Sequence, residues 1–119
     1  MNSYGLYLQY LWKKNPEKLL RKLIELGYEV IITSVKADGF SEEWLGRRID
    51  ESCLNDLLKL NRKYKIHLMG EGGEYETFVL DGPIFKKRLE IVKSSIIEEG
   101  LVCQLVIEEM SVKSKNLKV

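Results

Sequence analysis

Residues 87–113 carry no helix start or stop signal, and their one punctuation mark is Glu99-Gly100. Such a stretch reads as two long strands joined in an antiparallel hairpin near that pair. A chain that ends this way is built around a sheet, and the segments before it must supply the cover.

Those earlier segments give clear helix signals. Asn15-Pro16-Glu17 combines an N-cap, a proline at the first helical position and an acid in the first turn. Leu19, Leu20, Leu23, Ile24 and Leu26 then form an apolar stripe, and Glu17, Arg21 and Glu25 sit four apart on the opposite face. Gly27 is placed to end this helix. Residues 28–35 are rich in β-branched side chains and predict a buried strand. Lys36-Ala37-Asp38-Gly39 marks a turn, and Ser41-Glu42-Glu43 opens a short helical piece reaching about Gly46. Asp50 can cap a second helix that buries Leu54, Leu57, Leu58 and Tyr64. Short strands are expected at residues 6–11 and 66–69, and another at about 75–80, closed by Asp81-Gly82-Pro83. The order implies one domain over residues 1–119. It is a small α/β fold with a mixed sheet in βαβαβ order, ending in the long antiparallel hairpin.

The length of 119 residues suits a single core, and apolar residues make up 45%. Charged residues reach 31% but balance to a net +1, which argues against a broad nucleic-acid or anionic-membrane surface. The apolar runs are too short to span a bilayer, and no signal-peptide pattern opens the chain. Cys53 and Cys103 are far apart in sequence and read as free thiols of a cytoplasmic protein. With His67 as the only histidine, a histidine-based metal centre is ruled out and no metal ligands are assigned.

Chemistry is most concentrated in Gly70-Glu71-Gly72-Gly73-Glu74-Tyr75-Glu76-Thr77. The glycines allow close backbone approach to a ligand. The interleaved carboxylates would repel a bare phosphate, so the loop suits a cation, an amine or a phosphate already carrying magnesium. Strand alternation puts Glu74 and Glu76 on one face about 6.5–7 Å apart, able to flank a small ligand, with Tyr75 and Thr77 on the other. The competing reading is a solvated glycine turn with surface carboxylates. Trp44-Leu45-Gly46-Arg47-Arg48 is a second candidate, able to line a pocket for an anionic or aromatic ligand. Its competing reading is a packed Trp44 with solvated arginines, and Trp12 likewise reads first as a packing residue.

The run from Gly70 to Thr77, continued by Phe78-Val79-Leu80-Asp81-Gly82-Pro83 and Ile84-Phe85-Lys86-Lys87-Arg88, resembles the signature of the diphthine–ammonia ligases. Trp44-Leu45-Gly46-Arg47 before Ile49-Asp50, and Leu11-Trp12 before Asn15-Pro16-Glu17, resemble further landmarks of that family. The likeness covers nearly the whole chain in order and spacing. It implies the C-terminal half of an enzyme of the PP-loop ATP pyrophosphatase class. Such enzymes use ATP and magnesium to adenylate the carboxylate of diphthine on elongation factor 2, and ammonia then displaces AMP to give diphthamide. Carried over by position, the resemblance makes Glu71, Glu74 and Glu76 the expected catalytic residues. Gly70, Gly72, Gly73, Tyr75, Thr77, Trp44, Gly46 and Arg47 become the expected substrate-binding residues. The chain departs from the family in containing no Ser-Gly-Gly run, so the nucleotide-binding half is absent from this sequence. It also has Leu68-Met69 before Gly70, where a proline and a small residue are expected. The resemblance therefore implies a ligase part that works with a separate PP-loop polypeptide. The alternative is a non-catalytic substrate-binding module or remnant that covers its exposed surface by homo-oligomerisation.

Overall fold

In the computed structural model, residues 14–36, 39–68, 70 and 74–115 are described. The expected strand at 6–11, Trp12, and the loop residues Glu71, Gly72 and Gly73 lie outside them.

Helix α1 (Pro16–Glu25) starts as its sequence dictates. The Asn15 side chain accepts a hydrogen bond from the Lys18 N–H at 3.0 Å, and Pro16 occupies the first turn. Its end is a Schellman motif: the Tyr28 N–H donates to the Leu23 carbonyl and the Gly27 N–H to that of Ile24, with Gly27 at φ +84°. Leu19 and Leu20 are buried.

Strand β1 (Glu29–Val35) is the centre of the sheet, with Ile31, Ile32, Ser34 and Val35 all buried. One edge pairs with β2 (Tyr75–Asp81) along its whole length. The other edge is divided. Ser34 and Val35 pair with Gln104 and Cys103 of β4 (Val102–Ser114). Further back, the edge is taken by residues 46–49: the Ile32 N–H donates to the Arg47 carbonyl, the Gly46 N–H to that of Ile32, and the Ile49 N–H to that of Val30. These residues follow a 3-10 turn (Glu42–Trp44), so the expected helical piece is a single turn. The inserted stretch displaces β4 from the rest of β1. A groove of about 480 Å³ results, its walls including Ile31, Leu45 and Leu80 on one side and Leu89, Ile91 and Leu105 on the other.

Helix α2 (Glu51–Tyr64) is capped by Asp50, whose carboxylate accepts from the Cys53 N–H at 2.9 Å. It buries Cys53, Leu54 and Leu57 completely against Ile32, Val35, Leu20 and Tyr75. Tyr64, expected inside, is 39% exposed, because it sits in the last turn and its ring lies over Gly39 at the edge of the core. The helix stops at Lys65 in the left-handed region (φ +57°), with no glycine to announce it.

The short strand expected at 66–69 is corrected: Ile66 and His67 are irregular and Leu68 lies in a turn, with Met69 outside the described residues. Among the described residues, side chains bind the backbone of Ile66 and His67. The Asn61 amide donates to the Ile66 carbonyl at 2.7 Å, and the Glu74 carboxylate accepts from the His67 N–H at 2.8 Å. The Lys36 N–H donates to the Glu74 carbonyl, so β2 begins where β1 ends and must run antiparallel to it.

Strand β3 (Lys87–Glu99) and β4 form the expected hairpin. Gly100, at φ +61°, opens its two-residue turn in the positive-φ region that such turns require. The strand order is β2-β1-β4-β3. The α/β class and the closing hairpin follow the sequence reading. The mixed sheet of that reading is antiparallel at each named pairing among the described residues.

Two ion pairs fasten the open end of the hairpin to the β1–β2 end: Arg88 with Glu29 at 2.7 Å and Lys115 with Asp81 at 2.6 Å. Lys115 also donates to the Gly82 carbonyl at 2.6 Å. Its hydrogen bond holds the Asp81 carboxyl below the usual carboxylate value. A depressed folded pKa stabilises above the unfolded value of about 3.9, and that contribution disappears as pH falls through the folded value. Lys115→Ala is therefore expected to lower the urea midpoint at pH 7, with the gap from wild type closing as the solution is acidified below the ordinary carboxylate range. A gap that is the same at both pH values would remove the ion pair from the account.

Candidate functional site

The glycine–acid run lies between two anchored flanks. Ahead of it, the backbone of Ile66, His67 and Leu68 is held by Asn61, Glu74 and Tyr75. Tyr75 is 3% exposed, packs in the core and donates its hydroxyl to the Leu68 carbonyl. Burial, with Cys53 and Glu74 adding to it, pushes the Tyr75 phenol above its ordinary value, so it remains a donor at neutral pH. The Gly70 N–H donates to the His67 carbonyl at 2.9 Å. Gly70 has φ +71°, and a Cβ there would stand 2.5 Å from the Tyr75 carbonyl oxygen. Glycine is required here by both backbone conformation and space.

The structure separates Glu74 from Glu76, which alternation had placed together. Glu74 precedes β2, where strand alternation does not govern it, and its carboxylate turns onto the His67 N–H. It lines an open cleft of about 650 Å³ with Pro16, Asn61, Lys65, Ile66, His67 and Leu68. Glu76 is exposed on β2, opposite Ser34. Thr77 is exposed beside an apolar gap of about 120 Å³ between α1 and the sheet, a packing feature lined by Leu20, Ile24, Val30 and Val79 among others.

The second candidate segment meets the first through Phe40, a residue that the sequence reading did not single out. Phe40 packs edge-on to Trp44, ring centroids 4.9 Å apart, and against Tyr75 at 5.8 Å. Its only sequence signal is an aromatic placed directly after the Gly39 turn. Arg47 lies over the Trp44 ring at 4.7 Å and is bound to Asp56 at 2.7 Å and to Ser52 at 3.3 Å. The guanidinium is thus committed to α2 and Trp44, and it braces the segment that fills the edge of β1. Gly46, at φ +79°, lets that segment turn into its pairing with Ile32. Cys53, next to this cluster, is a thiol pushed up to about 11 by burial, and it stays protonated at neutral pH. Both cysteines are free.

A family model described as the diphthamide synthase C-terminal domain matches residues 15–112. The chain belongs to this family. The matched region runs from the cap of α1 to the end of the hairpin and takes in both candidate segments. The chain is also 42% identical over 103 residues to a diphthine–ammonia ligase of Schizosaccharomyces pombe, an alignment covering 85% of this chain and 17% of that protein. It is 42% identical over 91 residues to the human diphthine–ammonia ligase, covering 76% of this chain and 34% of that one. With the Saccharomyces cerevisiae diphthine–ammonia ligase the identity is 32% over 107 residues, covering 74% and 16%. The chain thus spans about a third or less of the length of these relatives.

Among the described residues, no three His, Cys, Asp or Glu side chains converge to hold a metal ion. That part of the chain does not by itself fit the magnesium that the family resemblance implied. No helix among the described residues is long and apolar enough to cross a membrane.

The close contact at Gly70 sets a ranking of glycine substitutions. Gly70→Ala is expected to cost about 2 kcal/mol or more, since strain and collision add. Gly27→Ala, where φ is positive but nothing lies within 4 Å, should cost roughly 1 kcal/mol. Urea unfolding of both variants checks the order, and equal losses would contradict the close approach.

Proposed function

We propose that this domain forms the substrate side of a diphthine–ammonia ligase, the part that receives diphthine on elongation factor 2 for conversion to diphthamide. The match of residues 15–112 to the diphthamide synthase C-terminal domain carries this reading. In the proposed reaction ATP activates the diphthine carboxylate and ammonia replaces AMP. ATP and magnesium then belong to a nucleotide-binding PP-loop part that this sequence does not contain, and the setting is the cytoplasm. The acidic side of the site is Glu71 and Glu76, with Gly70, Gly72 and Gly73 giving backbone access; Glu74, expected beside them, turns onto the His67 N–H. Diphthine carries a trimethylammonium group, which carboxylates attract and aromatic faces hold. Trp44 already holds one cation, the Arg47 guanidinium, in that manner.

The exposed Glu76 gives the cleanest test of the acidic site, because its replacement disturbs no packing. Glu76→Gln should leave the urea midpoint unchanged. It should lower kcat/KM for amidation of diphthine-bearing elongation factor 2 by roughly tenfold or more in the enzyme completed with its PP-loop part. Full activity in this variant would exclude Glu76 from the site.

A further inference from the structure

Within the run Gly70-Glu71-Gly72-Gly73-Glu74-Tyr75-Glu76 the described carboxylates do not have equivalent surroundings. Glu76 is exposed on the strand. Glu74 is directed back into the protein, where its Oε2 accepts the His67 N–H at 2.8 Å. The neighbouring Tyr75 is buried and donates its hydroxyl to the Leu68 carbonyl. Asn61, one helical element away, donates to the Ile66 carbonyl. Three side chains therefore bind, in succession, the backbone of Ile66, His67 and Leu68, which lie in no strand. The stretch leads directly into Gly70, whose backbone sits against the Tyr75 carbonyl so tightly that no Cβ fits.

We infer that Glu74 and Tyr75 are positioning residues: they clamp the backbone of His67 and Leu68 and so fix where the glycine–acid segment begins, while substrate contact falls to other members of the run. The assignment rests on the ligase reading for its functional part and on the hydrogen-bond geometry for its structural part. The hydrogen bond that Glu74 accepts from the His67 N–H needs an acceptor oxygen at the end of the side chain. A glutamine retains an acceptor oxygen and an alanine does not. A carboxylate that binds a cation or moves a proton would be lost equally in both substitutions.

Two measurements separate these roles. In the chain alone, amide hydrogen exchange of His67 and Gly70 is compared for wild type, Glu74→Gln and Glu74→Ala. We expect Gln to keep the protection of wild type and Ala to lose it by roughly tenfold or more. Loss of protection in Gln, or unchanged protection in Ala, would overturn the clamp; if Ala does not fold, the Gln result alone decides. In the enzyme completed with its PP-loop part, Glu74→Gln should keep kcat/KM within about threefold of wild type while Glu76→Gln does not. A Glu74→Gln variant that is protected from exchange but inactive would overturn the positioning role and make Glu74 catalytic. If the wild-type assembly fails to amidate elongation factor 2, the ligase reading falls, and the exchange result still decides the clamp.

Discussion

The divided edge of β1 organises the rest of the molecule. A central strand buried on both faces must have its N–H and C=O groups satisfied from both sides, because water cannot reach them. On one side β2 does this along the whole strand. On the other, Gly46, Arg47 and Ile49 serve Val30 and Ile32, and β4 serves only Ser34 and Val35. The inserted segment is held by Arg47, which grips Asp56 on α2 and stacks on Trp44. The 44–49 segment and the spread between hairpin and sheet are thus consequences of one hydrogen-bonding requirement.

The same economy of backbone groups shapes the candidate site. Residues 66–68 form no strand, and Asn61, Glu74 and Tyr75 bind their backbone. Tyr75 connects this clamp to the core through Cys53 and Leu57, and to Trp44 through Phe40. Two segments some thirty residues apart in sequence therefore share one aromatic junction. A disturbance at Trp44 has a physical route to the glycine–acid run, by way of packed rings rather than charge.

Much of the fold was legible because its signals are local. Asn15-Pro16, Gly27, Asp50 and Gly100 each act within a few residues, and each caps or turns the chain as its chemistry requires. What was not legible depends on partners distant in sequence. The run at 66–69 has a strand-like composition, and only the arrival of Glu74 and Tyr75 makes a clamped loop the better solution for Ile66, His67 and Leu68. Lys65 ends α2 in a conformation that sequence preference would assign to glycine. Phe40 carried no motif, yet it joins both candidate segments. Glu74 and Glu76 were grouped by a strand alternation that begins only after Glu74. The family, by contrast, was readable from the glycine–acid run and its flanks, since a long contiguous pattern survives any error in placing its elements.

We propose that this domain completes a ligase whose nucleotide chemistry lies elsewhere. The most direct measurement is amidation of diphthine-bearing elongation factor 2, followed by mass spectrometry with ATP, magnesium and ammonia present. It is run with the PP-loop part alone, with this chain alone, and with both together. The account predicts diphthamide only when both are present. Equal yield from the PP-loop part without this chain would contradict it.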